Sequence, residues 1–304
     1  MKALSEKLLG GTQGAIALAI LATVLLIILP IWLDSFRLSM LGKYVTYAFV
    51  SVSLVLLWGN GGILSLGQGI FFGLGGYCMA MFLKLEASDP ISTKIQTTPG
   101  IPDFMDWNQI TALPWFWEPF KSLPLTLILI LLIPTLLAFI IGFAMFKRRV
   151  GGVYFSIITQ AIALILSILI VGQQGYTGGV NGITDLKTLL GWDIRTESAK
   201  YVLYYVNVTL LILSIMLGRY IITSKFGMLL LAMRDKEERV RFSGYDCGAV
   251  FTAFHDGFIG FHIVFAGVAV PLSMAGKALC LYERHHVFGE GYLFVRRRDG
   301  GGEN

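Results

Sequence analysis

Charge is what this chain has least of: 14% of its 304 residues are Asp, Glu, Lys or Arg, against the usual quarter of a soluble protein. With 55% hydrophobic residues, that shortage excludes a water-facing globule and places the chain among polytopic membrane proteins. Cysteine is scarce too. Cys78, Cys247 and Cys280 are far apart and form no CxxC pair, so neither a disulfide framework nor a cysteine metal or redox site is expected. No histidine precedes His255, and neither HExxH nor GxSxG occurs, so no credible catalytic set is present. Nucleotide binding is excluded as well. Gly42-Lys43 and Gly276-Lys277 lack the upstream glycine and the following hydroxyl of a phosphate-cradling loop. The hydrophobic runs themselves lack ionised residues. Because intramembrane charges usually mark ion or proton pathways, this absence argues against an ion-coupled carrier. It favours a neutral or zwitterionic solute, with energy supplied by another chain.

The hydrophobic runs are there in number. Uncharged stretches cover 15–33, 44–58, 59–83, 123–146, 150–171 and 201–217, most of them near the ~20 residues that cross a bilayer. The first is too long for a signal-peptide core and has no small-residue cleavage site, so it reads as a retained helix. The short second run is expected to continue into the third, the two sharing a broken or re-entrant element. The fold class expected is an all-α polytopic bundle with the N-terminus inside. Alternation then puts 84–121 and 172–200 outside, and Lys147-Arg148-Arg149 and 223–246 inside. This matches the basic bias of cytoplasmic loops. The formal charge of +5 is then topological and calls for no nucleic acid. The tryptophans and prolines of the long outer loop, Trp107, Trp115 and Trp117 among them, read as an interfacial belt or as a lid over a ligand.

The run WGNGGILSLGQGIFFGLGGY, 58–77, is the most informative stretch. Eight of the eighteen residues from Gly59 to Gly76 are glycine. In membranes glycine lets helices approach closely and lets backbone break where it lines a polar path. Gly69, Gly73 and Gly76 share one helical face, and the NGG and LSLG upstream point to a helix broken near Gly67. Asn60, Ser65, Gln68, Thr159 and Gln160 supply uncharged hydrogen-bonding groups at membrane depth. They line a solute path or bond helix to helix, and the sequence leaves both open. A passive channel and a non-transporting membrane scaffold are the rival classes.

The inside stretch 223–246, TSKFGMLLLAMRDKEERVRFSGYD, leads from an apolar patch into mixed charge and ends near Gly244. Leu229, Met233 and Val240 share the apolar side of a short helix, while Arg234, Asp235, Glu237, Glu238 and Arg239 project polar contacts. It reads as a docking element; a solvated loop of compensating charges is the alternative.

On these residues the chain resembles the integral-membrane permeases of branched-chain amino acid ABC transporters, the LivM-like family, and within it the urea-type permeases. The general likeness lies in LSLGQGIFFGLGGY, 64–77, and in the FG-x-x-L-x-A-x-R-D-x-E pattern at 226–237. The urea-type likeness lies in LPWFWEPF at 113–120, GVYFSIITQA at 152–161, YTGGVNGITDLK at 176–187 and ERVRFSGYD at 238–246. The resemblance implies an importer of the bacterial inner membrane, built from two unlike permeases, two cytoplasmic ATP-binding subunits and an extracytoplasmic solute-binding protein. It implies no cofactor or metal in this chain. It also implies that 223–246 is the ATPase coupling segment, Glu238 and Gly244 keeping the E-x5-G spacing. Arg239 and Val240 replace the alanines that usually follow that glutamate. Urea, small and uncharged with four N–H donors and one carbonyl, suits a path of amides and hydroxyls, though helix ends also serve an amino acid's charged groups.

The resemblance is carried from about Ala15 to Asp246, so 1–246 is expected to be the permease domain and 247–304 an atypical tail. Histidines 255, 262, 285 and 286 and two of the three cysteines fall there. The composition shift reads as a frameshift or truncation, a divergent native ending being the alternative, with a weak span candidate at 257–276 and no metal-ligand spacing among the histidines.

Overall fold

The computed structural model describes residues 11–255 apart from Ser92 and Ile95. Six of its helices are long and apolar enough to cross a membrane. This all-α form follows from the solvent: in hydrocarbon every backbone group must be bonded internally, and a helix does this within one segment. The spans are α1, Gly11–Trp32; α2, Ser35–Gly61; α3, Gln68–Ala87; α5, Leu123–Lys147; α6, Gly152–Gly172; and α8, Glu197–Ile222. Between them lie the short α4, Asp103–Trp107, and α7, Gln174–Thr177, and a hairpin of β1, Thr188–Leu189, and β2, Trp192–Asp193. Helix α9, Lys225–Phe242, follows the last span.

The boundaries show what stops each helix. A π turn at Val24–Ile28 interrupts α1, and the Tyr204 hydroxyl of α8 donates to the Leu25 carbonyl within it at 2.7 Å. Helix α2 ends at Gly62, whose φ of +67° is a left-handed cap that a β-carbon disfavours. Thr196 caps α8 by accepting from the Ala199 amide. The second hydrophobic run, read as 44–58, is thus the core of a longer helix that includes Arg37 and Lys43. The third run is divided, its first glycines closing α2 and the rest building α3.

Two helix pairs organise the bundle, α2 with α8 and α3 with α5. Helices α2 and α8 run parallel. At one end the Ser35 hydroxyl donates to Glu197, 162 residues on, at 3.1 Å. At the other, a β-carbon on Gly218 would stand 2.7 Å from Leu56 Cδ1, at that same offset. Leu38, Val45, Phe49, Tyr204, Val208 and Leu211 fill the seam between them.

The expected outer segments fold as a cap on the far end of α3. Phe104, Met105, Trp117, Ile183 and Ile194 join Met81 and Leu83 in one apolar core. Polar bonds pin it. Tyr77 donates to the Thr177 carbonyl at 2.6 Å, Trp117 Nε1 to the Tyr176 carbonyl at 2.9 Å, and Glu86 accepts from the Leu190 and Gly191 amides of the β-turn. Trp107 and Trp115 remain outward-facing. Lys84, read as the first loop residue, lies in the last turn of α3, where it is buried, pairs with Asp103 at 2.8 Å and donates to the Thr184 carbonyl. Its charge is tolerated because a carboxylate from the cap reaches it.

Candidate functional site

The break between α2 and α3 spans residues 62–67, and α6 supplies its missing partners. Ser156 donates to the Leu64 carbonyl at 2.6 Å, the Leu66 amide donates to Thr159 Oγ at 3.3 Å, and Thr159 donates to the Ser156 carbonyl of its own helix. The break presses on α6 at Gly67, where a β-carbon would stand 2.8 Å from the Thr159 carbonyl oxygen. Glycine is required there by space. Unwound backbone thus persists because neighbouring side chains re-satisfy it.

Among the described residues, two side chains at the break each leave one polar atom without a hydrogen bond. Ser65 is fully buried and Gln68 is 7% exposed, yet neither Ser65 Oγ nor Gln68 Nε2 is hydrogen-bonded. The other end of the Gln68 amide is fixed, since Ser53 of α2 donates to its Oε1 at 2.9 Å. The fold therefore brings Ser65, Gln68 and Thr159 together around the break. Asn60 turns back along its own helix, Nδ2 donating to the Leu56 carbonyl at 3.4 Å, and Gln160 is half-buried beside Thr159. Within α3, Gly73 and Gly76 are buried and Gly69 half-buried. Since 67% of the α3 span is enclosed, the glycine face is part of an all-round packing surface and not a lone stripe.

Helix α9 lies against the same break. Arg234 Nη1 donates to the Gly59 carbonyl at 2.6 Å, while Nε faces the Asp235 carboxylate at 3.2 Å. The helix kinks at Lys236, whose φ and ψ are −153° and 81°. Past the kink Arg241 bonds Glu237, Glu238 and Arg239 are exposed, and Gly244 takes a φ of +88° that ends the segment. Met233, Val240 and Cys247 are buried together, with Leu229, Val250 and Phe251 against them, so this apolar side of α9 packs on the helical segment that follows it, while Leu230 meets Leu56 and Leu57 of α2. Burial, with Glu237 nearby, pushes the Cys247 thiol above its ordinary value. A cleft of about 1110 Å³ opens beside the break, with Lys147, Arg149, Arg234 and Arg241 facing Glu237 and Asp246.

Residues 247–255 continue as helix beyond the expected boundary at Asp246. Phe254 packs on Leu56, Leu57 and Leu230, and the His255 ring stands edge-on to Phe71, Phe146 and Phe155. The 257–276 span candidate and the remaining histidines lie outside the described residues. Sequence reasoning did not single out Ser53, Ser156 or Asn207. The readable signal was spacing: Thr46 and Ser53 on α2, and Asn207 and Ser214 on α8, recur at seven residues, one helical face apart by two turns.

Six membrane-length helices with a hydrogen-bonding break among them define a multi-pass membrane protein. The family of the branched-chain amino acid transport system permease component matches residues 36–278, and the chain belongs to that family. The match passes Asp246 and takes in most of the atypical segment. No curated protein and no solved structure shows significant similarity to the chain.

Proposed function

We propose that this chain is the permease subunit of an ATP-driven importer for urea in a bacterial inner membrane. The break at residues 62–67 forms part of the solute path, and Ser65, Gln68 and Thr159 are its hydrogen-bonding groups. The observation that carries this is the pair of buried, unpartnered polar atoms, Ser65 Oγ and Gln68 Nε2, beside backbone that is not helical. Unpaired groups of this kind cost ~1–3 kcal/mol each, and an incoming solute offsets that cost. Family membership supports transport as the activity. The urea-type motifs and the uncharged donor set support urea.

In this reading Arg234, Asp235, Glu237, Glu238, Arg239 and Gly244 present the coupling surface to one of two cytoplasmic ATP-binding subunits. A second, unlike permease completes the path, an extracytoplasmic protein delivers solute, and the N-terminus is cytoplasmic. Exposed Met228, Leu231 and Phe242 on α9 add apolar area to that surface. The assembled importer, reconstituted in vesicles, is expected to take up labelled urea only with ATP. Scrambling residues 234–244 is expected to abolish uptake while the complex still binds ATP; undiminished uptake overturns the coupling role.

A second reading, import of branched-chain amino acids, is favoured by the family's own description. Competition between labelled urea and leucine in that assay separates the two.

A further inference from the structure

Asn207 sits near the middle of α8, and its burial is close to complete at 1% exposed. Neither Nδ2 nor Oδ1 makes a hydrogen bond. A carboxamide with both ends unpaired is a costly way to fill an apolar seam, since Leu has the same branched outline and no polar atom. Val208, Leu211 and Tyr204 of α8 pack on Leu38, Val45 and Phe49 of α2, and Tyr204, one turn away, spends its hydroxyl on the π turn of α1.

The parallel register of α2 and α8 gives Asn207 company. At the offset of 162 residues set by Ser35 and Glu197, Thr46 stands opposite Val208 and beside Asn207, and Ser53 stands opposite Ile215 and beside Ser214. Thr46, Ser53, Asn207 and Ser214 are all buried. Two polar levels therefore cross the seam, about 10 Å apart along the helices. The second leads directly to the break, because Ser53 donates to Gln68. The two levels and the Ser53–Gln68 bond lead from the interior of the α2–α8 seam to the unwound segment.

We propose that Asn207 is a second solute-binding station, placed on the α2–α8 seam ahead of the Gln68 and Ser65 pair, and that its ligand is a small neutral amide of the urea class. The inference rests on the reading of this chain as a urea permease. One edge of a carboxamide offers an N–H beside a C=O, and urea presents the complementary C=O beside an N–H, so the two close a ring of two hydrogen bonds. A branched aliphatic side chain has no use for such an edge. In the closed seam the edge is unpaired, and a passing urea pairs it, which lowers the barrier to movement along an otherwise dry interface.

The test uses the complete importer in vesicles with labelled urea, comparing wild type with Asn207→Leu, Asn207→Ala and Asn207→Gln. Expected are an uptake rate at saturating urea about tenfold lower for the Leu and Ala variants, fewer urea molecules moved per ATP, and substantial recovery with Gln, which keeps the carboxamide. The thermal midpoint of N207L is expected to equal or exceed that of wild type, because an unpaired polar group has been removed. Uptake by N207L within about twofold of wild type overturns the station. A wild-type assembly that imports leucine and no urea removes the functional reading and this inference with it, whereas urea uptake insensitive to N207L removes the inference alone.

Discussion

Arg234 reaches from α9 to the last turn of α2 and donates to the Gly59 carbonyl at 2.6 Å. Its stem crosses Gly62 so closely that a β-carbon there would stand 2.6 Å from Arg234 Cγ. The guanidinium thus supplies a donor to a carbonyl in the final turn, where helix acceptors run out of partners. One side chain ties the charged helix to the start of the break.

Removing this tie is expected to uncouple energy use from transport. Arg234→Ala leaves the Gly59 carbonyl without its side-chain donor, and Gly62→Ala forces a β-carbon into left-handed backbone at a cost of roughly 1–2 kcal/mol. Both variants are expected to lower urea moved per ATP in the reconstituted importer. Unchanged stoichiometry in both would show that α9 acts elsewhere.

The α6 side of the break admits a sharper steric test. Gly67→Ala places a β-carbon 2.8 Å from the Thr159 carbonyl, and the obstacle is helix backbone that cannot step aside. Thr159→Val keeps the volume but leaves the Leu66 amide unpaired, a loss of ~1–3 kcal/mol. Thermal unfolding in detergent is expected to show both midpoints lowered.

In the cap on α3, buried Lys84 and half-buried Asp103 form a pair at 2.8 Å. Breaking such a pair from one side costs about 3–5 kcal/mol, while replacing both members with apolar groups is often neutral. Lys84→Met or Asp103→Leu alone is expected to lower the unfolding midpoint, and the double variant to recover much of it. A double variant as unstable as the sum of the singles would refute this account.

Acid provides a local probe of the same cap. Asp106 accepts from the Thr98 hydroxyl and from the Thr97 and Thr98 amides, and the Thr98 hydroxyl bond chiefly holds its carboxyl below the usual value. A depressed acid contributes fully above its unfolded value and loses that contribution as pH falls through the folded one. Protection of the Thr97 and Thr98 amides, measured against their intrinsic exchange rate at each pH, is therefore expected to hold down to about pH 4, the ordinary aspartate value, and to fall only below it. Asp106→Asn is expected to show fast exchange at neutral pH.

Much of this protein was legible in one dimension. Lack of charge and the lengths of the apolar runs fix a helical membrane bundle, because hydrocarbon leaves the backbone few alternatives, and the glycines of 58–77 mark the break because only they tolerate its turn and its contact with α6. The apolar side of α9 was likewise written in the spacing of Leu229, Met233 and Val240. What spacing cannot express is who answers whom across the bundle. That Lys84 is buried against Asp103, that Arg234 caps α2, that Ser156 and Thr159 serve the break, and that Asn207 finds no hydrogen-bond partner among the described residues were decided only when distant helices came together. Hydrogen bonds depend on distance and angle between groups that the chain keeps a hundred residues apart, and only the packed structure supplies those.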